Sequence, residues 1–96
     1  MSDTRIMRGR LVKMANGESL RIPTIPFTES GFALVRMLDE LAKVGGSNEK
    51  RMEAMLEVCL AGARLNYPQM SKAALSAKLD LESAYAVIRA LKAQNA

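Results

Sequence analysis

Histidine is absent from this chain of 96 residues, and cysteine occurs only once. Because His and Cys are the ligands that zinc and similar metals prefer, the composition argues against a metal site. The same shortage removes His as a general base and rules out an internal disulfide bond. Cys59 lies in an apolar helical run. That setting predicts a buried, structural thiol, and a lone Cys is typical of a reducing cytoplasm.

Catalytic signatures are also lacking in the sequence. No Gly-rich phosphate loop is present, and no nucleophile stands in a pattern with a base and an orienting group. Glu49, Glu53 and Glu57 recur every four residues, which is the spacing of a solvated helix face. We therefore expect no enzymatic activity, no catalytic residue and no cofactor. No apolar run is long enough to cross a bilayer and no signal peptide is visible, so we expect no membrane association.

Aromatic residues are scarce, with two Phe, two Tyr and no Trp, whereas Met occurs seven times. Met is flexible, so it suits both core filling and surfaces that repack against partners, and core filling is the commoner use. A chain of this length forms one domain with a modest core, which we place at residues 1–96.

The N-terminal part of the chain predicts a β-hairpin over residues 5–23. Asn16-Gly17 is a strong turn signal. A two-residue loop would mix apolar and polar side chains on each face. A three-residue loop over residues 15–17 pairs Val12 with Leu20 and leaves Gly17 in the left-handed conformation, so we favour that register.

The remainder predicts a mostly α (α+β) fold, in which the small hairpin is followed by a compact four-helix domain. Thr28, Ser71 and Asp80 are suitable N-caps, and Tyr67-Pro68 ends the preceding helix. The long second helix is apolar around most of its circumference, which indicates a central helix or a subunit interface. The predicted helices cover residues 28–44, 48–65, 72–78 and 81–94.

Helical spacing also predicts which faces are buried. Phe27 and Phe32 are placed to form a hydrophobic staple at the start of the first helix. Its core face is predicted to contain Leu34, Val35, Leu38 and Leu41. The predicted buried stripe of the last helix is Leu81, Ala84, Tyr85, Ile88 and Leu91, and its predicted outer face is Glu82, Ala86, Arg89, Ala90 and Ala93.

The last two helices have roughly the apolar spacing of a DNA-binding helix-turn-helix. Residues 1–27 carry five basic side chains against two acidic ones, which suits an arm that contacts nucleic acid or an acidic partner, or equally the solvated edge of a strand. However, Asp80 stands where the tight turn usually has Gly, and Glu82 would repel phosphate. Nucleic-acid binding is therefore the alternative hypothesis, and the residues that would carry it are Arg5, Arg8, Arg10, Arg89 and Lys92.

The stretch ARLNYPQMSKAALSAKLDLESAYAVIRAL (Ala63–Leu91) resembles the tail assembly chaperones of long-tailed, siphovirus-like bacteriophages. The shared pattern is a long helix ending in Leu-Asn-Tyr-Pro-x-Met-Ser, a short helix, and Leu-Asp-Leu-Glu-Ser opening the last helix. GESLRIPTIPFTESGFALVRMLDEL (Gly17–Leu41) is similar to the strand, the prolines and the Thr-capped helix of that family. The strongly basic first fifteen residues depart from the family pattern.

The resemblance implies a non-enzymatic protein in the cytoplasm of the bacterial host. Such chaperones coat the tape-measure protein, recruit tail-tube subunits that displace them, and would be expected to form homo-oligomers. Our candidate partner-binding residues are Met37, Met52, Met55 and Val58. A third hypothesis is a structural adaptor, which would stay in the mature virion where a chaperone would be missing.

Overall fold

A computed structural model describes residues 9–94 and has the predicted fold class. A two-stranded antiparallel hairpin is followed by four helices. The strands are β1 (Arg10–Lys13) and β2 (Ser19–Ile22), and the helices are α1 (Glu29–Lys43), α2 (Asn48–Arg64), α3 (Lys72–Ser76) and α4 (Leu81–Gln94).

The register of the hairpin is the one that the three-residue loop predicts. Val12 pairs with Leu20, and the N–H of Met14 donates to the carbonyl of Glu18 at 2.7 Å. Gly17 has a φ of +90°, a backbone conformation that L side chains rarely adopt, which explains the Gly at the end of this loop. Residues 5–8 of the predicted hairpin lie outside the described residues.

Side-chain caps begin all four helices, because each cap oxygen accepts a hydrogen bond from an otherwise unpaired N–H of the first turn. The α3 helix ends two residues earlier than predicted, since the N–H groups of Lys78 and Leu79 bond three residues back rather than four. The cap pairs are Thr28 with Gly31, Ser47 with Lys50, Ser71 with Ala74, and Asp80 with Ser83.

The α2 helix is the central element, because it packs against α1, α3, α4 and β2. Its buried side chains include Met55, Val58, Cys59 and Leu60. The inner face of the hairpin covers one side of this helix and of α4. Gly62 allows α4 to approach α2 closely, since an added Cβ at Gly62 would stand 2.9 Å from a methyl carbon of Leu91.

The predicted core face of α1 is wrong at one position. Leu34 and Leu41 are buried and Leu38 is partly buried, but Val35 is 42% exposed. The cause is that α1 packs against a single helix, α2, which covers only a narrow stripe. Near the start of α1 the staple is present, because the Phe27 and Phe32 rings meet edge-on with centroids 6.1 Å apart.

The predicted buried stripe of α4 is also partly wrong. Leu81 and Tyr85 are 48% and 40% exposed, whereas Ala90, expected on the outer face, is buried. The helix is rotated because β1 packs on the side that carries Ala90 and Ser83. Ser83 can be buried since its hydroxyl is satisfied locally, accepting a hydrogen bond from the N–H of Asp80 at 2.9 Å.

Candidate binding surfaces

An apolar groove lies between α2 and the segment that joins α3 to α4. Met52 and Leu56 line it from α2, and Leu79 and Leu81 line it from the opposite wall. Its volume is about 490 Å³. Met52 is 52% exposed, so this apolar surface is open to a partner rather than closed within the core. We call this groove, whose lining includes these four side chains, the apolar groove.

The charged side chains around the apolar groove all have the same sign. Glu49, Glu53 and Asp80 contribute to its lining, and no Lys or Arg does so among the described residues. The carboxylate of Asp80 accepts the backbone N–H of Ser83, and this bond holds the Asp80 pKa below its usual value. Asp80 therefore stays ionised at neutral pH, and the groove presents a negative rim.

An ion pair borders this region on the exposed side of α2. The Lys72 ammonium lies 2.7 Å from the Glu57 carboxylate. The hydrogen bond and charge of Glu57 raise the pKa of Lys72, and the nearby Glu53 adds to the effect. Both partners are about half exposed, so the pair orients α3 against α2 without contributing much stability.

A second groove of about 620 Å³ separates α1 from α2. Met37 and Val58 are among its apolar lining residues. Its other walls are crowded with charges of both signs, from Arg36, Asp39, Glu40, Lys43 and Glu57. An apolar partner that covered such a mixed surface would have to desolvate these charged groups, which is unfavourable.

The four predicted partner-binding residues are therefore divided between two grooves. Met52 and Met55 lie at the apolar groove, and Met37 and Val58 lie at the groove between α1 and α2. Met55 and Val58 are buried, so they form the floors of these grooves, whereas Met52 is exposed and Met37 is partly buried.

A third groove, of about 780 Å³, runs between β1 and α4. Its basic side chains are Arg10 and Lys13 on β1 and Arg89 on α4, and Glu82 is an acidic side chain on its α4 wall. We call this the basic groove. It brings together two of the residues that the DNA-binding hypothesis names, Arg10 and Arg89. Lys92 is exposed in the last turn of α4, and Arg5 and Arg8 lie outside the described residues.

The geometry of the last two helices is unfavourable for reading DNA bases. The α3 helix has only five residues. Ser83, the best polar candidate near the start of α4, is buried and bonded to Asp80. Direct readout needs side chains that reach base edges, and none of the buried first-turn groups can do so.

Cys59 is buried in the core, and its thiol donates a weak hydrogen bond to the carbonyl of Ala84 over 3.6 Å. Burial raises the pKa of this thiol to about 12. A thiol with so little thiolate character is a poor nucleophile. The expectation of a structural Cys is therefore confirmed.

Residues 9–94 contain neither a cluster of metal ligands nor a membrane-spanning helix. No cluster of three or more potential metal-ligating side chains occurs in this part of the chain. None of its helices has the length and apolar character that a membrane span requires.

Sequence patterns missed Leu79 and Leu81 as groove residues, because helical spacing alone placed Leu81 in a buried stripe. No signal in the sequence separates Leu81 from the buried residues of α4, because helical spacing fits both stripes equally well. Comparison with protein-family models, with curated proteins and with solved structures found no match.

Proposed function

We propose that this protein is a phage tail assembly chaperone that holds an amphipathic helix of the tape-measure protein in the apolar groove. The observation that supports this most is the groove itself, in which apolar side chains lie open beneath a rim of carboxylates. A helix whose apolar stripe is flanked by Lys and Arg matches both features. The role is binding rather than catalysis.

The size of the interaction can be approximated from the two most exposed groove residues. Met52 and Leu81 are each about half exposed, so covering them contributes roughly 1 kcal/mol each. Their neighbours add less because they are already partly buried. The resulting affinity is moderate, which suits a chaperone that tail-tube subunits must later displace.

Self-association is part of the proposal and uses a different surface. Phe27, Phe32 and Val35 form an exposed apolar patch at the start of α1. Exposed aromatic side chains at one end of a small domain are typical of protein–protein contacts. A homo-oligomer formed there would leave the apolar groove free, so several grooves could engage one long tape-measure helix.

The test is co-expression with the tape-measure protein, encoded by the very long reading frame expected downstream of this gene. We expect the wild-type protein to keep that partner soluble and to co-purify with it. The variant Met52→Glu combined with Leu81→Glu should lose both effects, because it places negative charge in a groove that needs apolar contact.

Leu11→Glu is the matched control, since Leu11 is 61% exposed and lies on β1, outside both the apolar groove and the apolar patch at the start of α1. It should retain the partner. Equal loss in both variants, or no solubilisation by the wild type, would contradict the proposal.

Analysis of purified virions separates the remaining hypothesis, because a structural adaptor would be present in the mature particle and a chaperone would be absent.

A further inference from the structure

The outer edge of β1 carries backbone groups that the hairpin does not use. Met14 bonds inward to Glu18, and hydrogen bonding alternates along an antiparallel pair, so Val12 also bonds inward. The N–H and C=O groups of Leu11 and Lys13 therefore point away from β2. Residues 9–94 supply no hydrogen-bond partner for them.

The opposite edge of the hairpin is covered at Arg21. The N–H of Arg21, directly across from Leu11, donates to the Tyr67 hydroxyl at 3.0 Å. The side-chain amide of Asn66 donates to the carbonyl of Arg21 at 2.9 Å. The loop after α2 thus occupies the edge of β2 at Arg21, whereas both outward residues of β1 are open among residues 9–94.

The open edge of β1 forms one wall of the basic groove, and α4 forms the other. The N–H of Ala15 bonds to the carbonyl of Lys78 at 2.8 Å, so the turn end of β1 lies beside the start of α4. The two elements therefore run in opposite directions, which brings Arg10 towards the half of α4 that carries Arg89. The four residues of β1 span about 13 Å, enough to pair with four residues of extended chain, and α4 is longer than this.

The charges of the groove select among possible occupants. Arg10, Lys13 and Arg89 outnumber the two acidic side chains of the lining, Glu82 and Asp80, and the Asp80 carboxylate already accepts the N–H of Ser83. Antiparallel pairing with β1 of a second copy would bring four basic side chains onto one edge, and Lys on an edge strand discourages such pairing. The chain's own first eight residues include Arg5 and Arg8, so they are also poorly matched in charge.

We infer that the basic groove binds an extended acidic peptide segment of another protein, which adds to β1 as a third strand. The main-chain groups of Leu11 and Lys13 supply hydrogen bonds, and Arg10 and Arg89 attract the acidic side chains. The exposed Leu11 side chain, at 61%, gives an apolar contact on the outer face. This site is separate from the apolar groove and takes a ligand of opposite charge.

The test uses a fluorescein-labelled hexapeptide of alternating Glu and Val, with binding followed by fluorescence polarisation. We expect saturable binding that weakens with added salt. Leu11→Pro removes one outward N–H without touching the bonds to β2, and it should lower affinity by about ten-fold or more. Leu11→Val keeps the N–H and should bind within about three-fold of wild type.

Further variants keep the proposal testable if proline disturbs the hairpin. Ser19→Pro places proline on β2, where the N–H also points away from the ladder, and should leave binding unchanged. Arg89→Glu should weaken binding by about ten-fold, whereas Arg36→Glu on α1 should not. A peptide with Lys in place of Glu should fail to bind.

Three kinds of result would overturn the inference. The first concerns the peptide, which would either fail to bind or bind equally to Leu11→Pro and to Leu11→Val. The second is tighter binding of a labelled DNA duplex at the same salt concentration, which would assign the groove to nucleic acid. The third is a halving of the molar mass by light scattering in Leu11→Pro, which would assign the edge to a second copy.

Discussion

Replacing Tyr67 with Phe tests how the hairpin is held against the helices. The Tyr67 hydroxyl accepts the N–H of Arg21, a contact between residues that are 46 apart in the chain. In Tyr67→Phe the ring keeps its packing and only this acceptor is lost. We expect the variant to fold and to be less stable than the wild type, because an edge N–H of β2 loses its partner.

The magnitude follows from the partial burial of this contact. A hydrogen bond within a protein contributes roughly 0.5–1.5 kcal/mol net, and water can reach a half-buried N–H and offset part of the loss. We therefore expect the free energy of unfolding to fall by about 1 kcal/mol. In a domain of this size that corresponds to a decrease in Tm of about 4–8 °C.

Urea denaturation followed by circular dichroism measures this change directly. Tyr85→Phe is the matched control, since Tyr85 is partly exposed on α4 and its hydroxyl has no partner among residues 9–94. Asn66→Ala, alone and combined with Tyr67→Phe, completes a double-mutant cycle on the same strand residue, Arg21. If Tyr67→Phe is as stable as Tyr85→Phe, the loop after α2 does not hold the hairpin as described.

Three more predictions concern stability. Leu91→Ala should lower the free energy of unfolding by about 2–5 kcal/mol in urea titrations, because Leu91 is fully buried over α2. Gly31→Ala should lower Tm clearly, since its Cβ would stand 1.8 Å from the carbonyl oxygen of Pro26, whereas Gly45→Ala meets no atom within 4 Å and should not lower it. The pKa of Asp80 is lowered on folding. The ionised carboxylate therefore stabilises the fold above the pKa of Asp80 in the unfolded chain, and this stability is lost as pH falls through the pKa in the folded chain. Asp80→Asn should accordingly flatten the fall of Tm below about pH 4.

Local signals in the sequence were sufficient to predict the elements of the fold. The turn at Asn16-Gly17, together with apolar alternation, specified both the hairpin and its register. The caps Thr28, Ser71 and Asp80 specified where three helices begin, because a short side chain at the right position satisfies first-turn N–H groups in any tertiary setting. These features depend on neighbours within a few residues, which is why they could be predicted.

The orientation of α4 depends on long-range packing and could not be predicted in the same way. The spacing of Leu81, Tyr85 and Ile88 is as good a helical stripe as the one actually buried. Which stripe faces inward depends on where β1 lies, and that is decided by contacts distant in sequence. The same rotation exposes Leu81 and creates the apolar groove, so only part of the candidate site was predictable.

The candidate partner-binding residues differ in exposure for related reasons. Met52 lines an open groove and is 52% exposed. Val58, six residues later, is covered on all sides. A helix that is apolar around most of its circumference gives no internal signal of which apolar residues stay exposed.

The most direct test of the proposed function is an NMR titration of protein labelled at the Met methyl groups with a helical segment of the tape-measure protein. Met52 and Met55 lie at the apolar groove, and Met37 lies at the groove between α1 and α2. Met14 directly follows β1 in the hairpin, and its side chain is buried. We predict that the Met52 and Met55 signals shift on binding while those of Met14 and Met37 do not. Shifts at Met37 without shifts at Met52, or no shifts at saturating partner, would contradict the account.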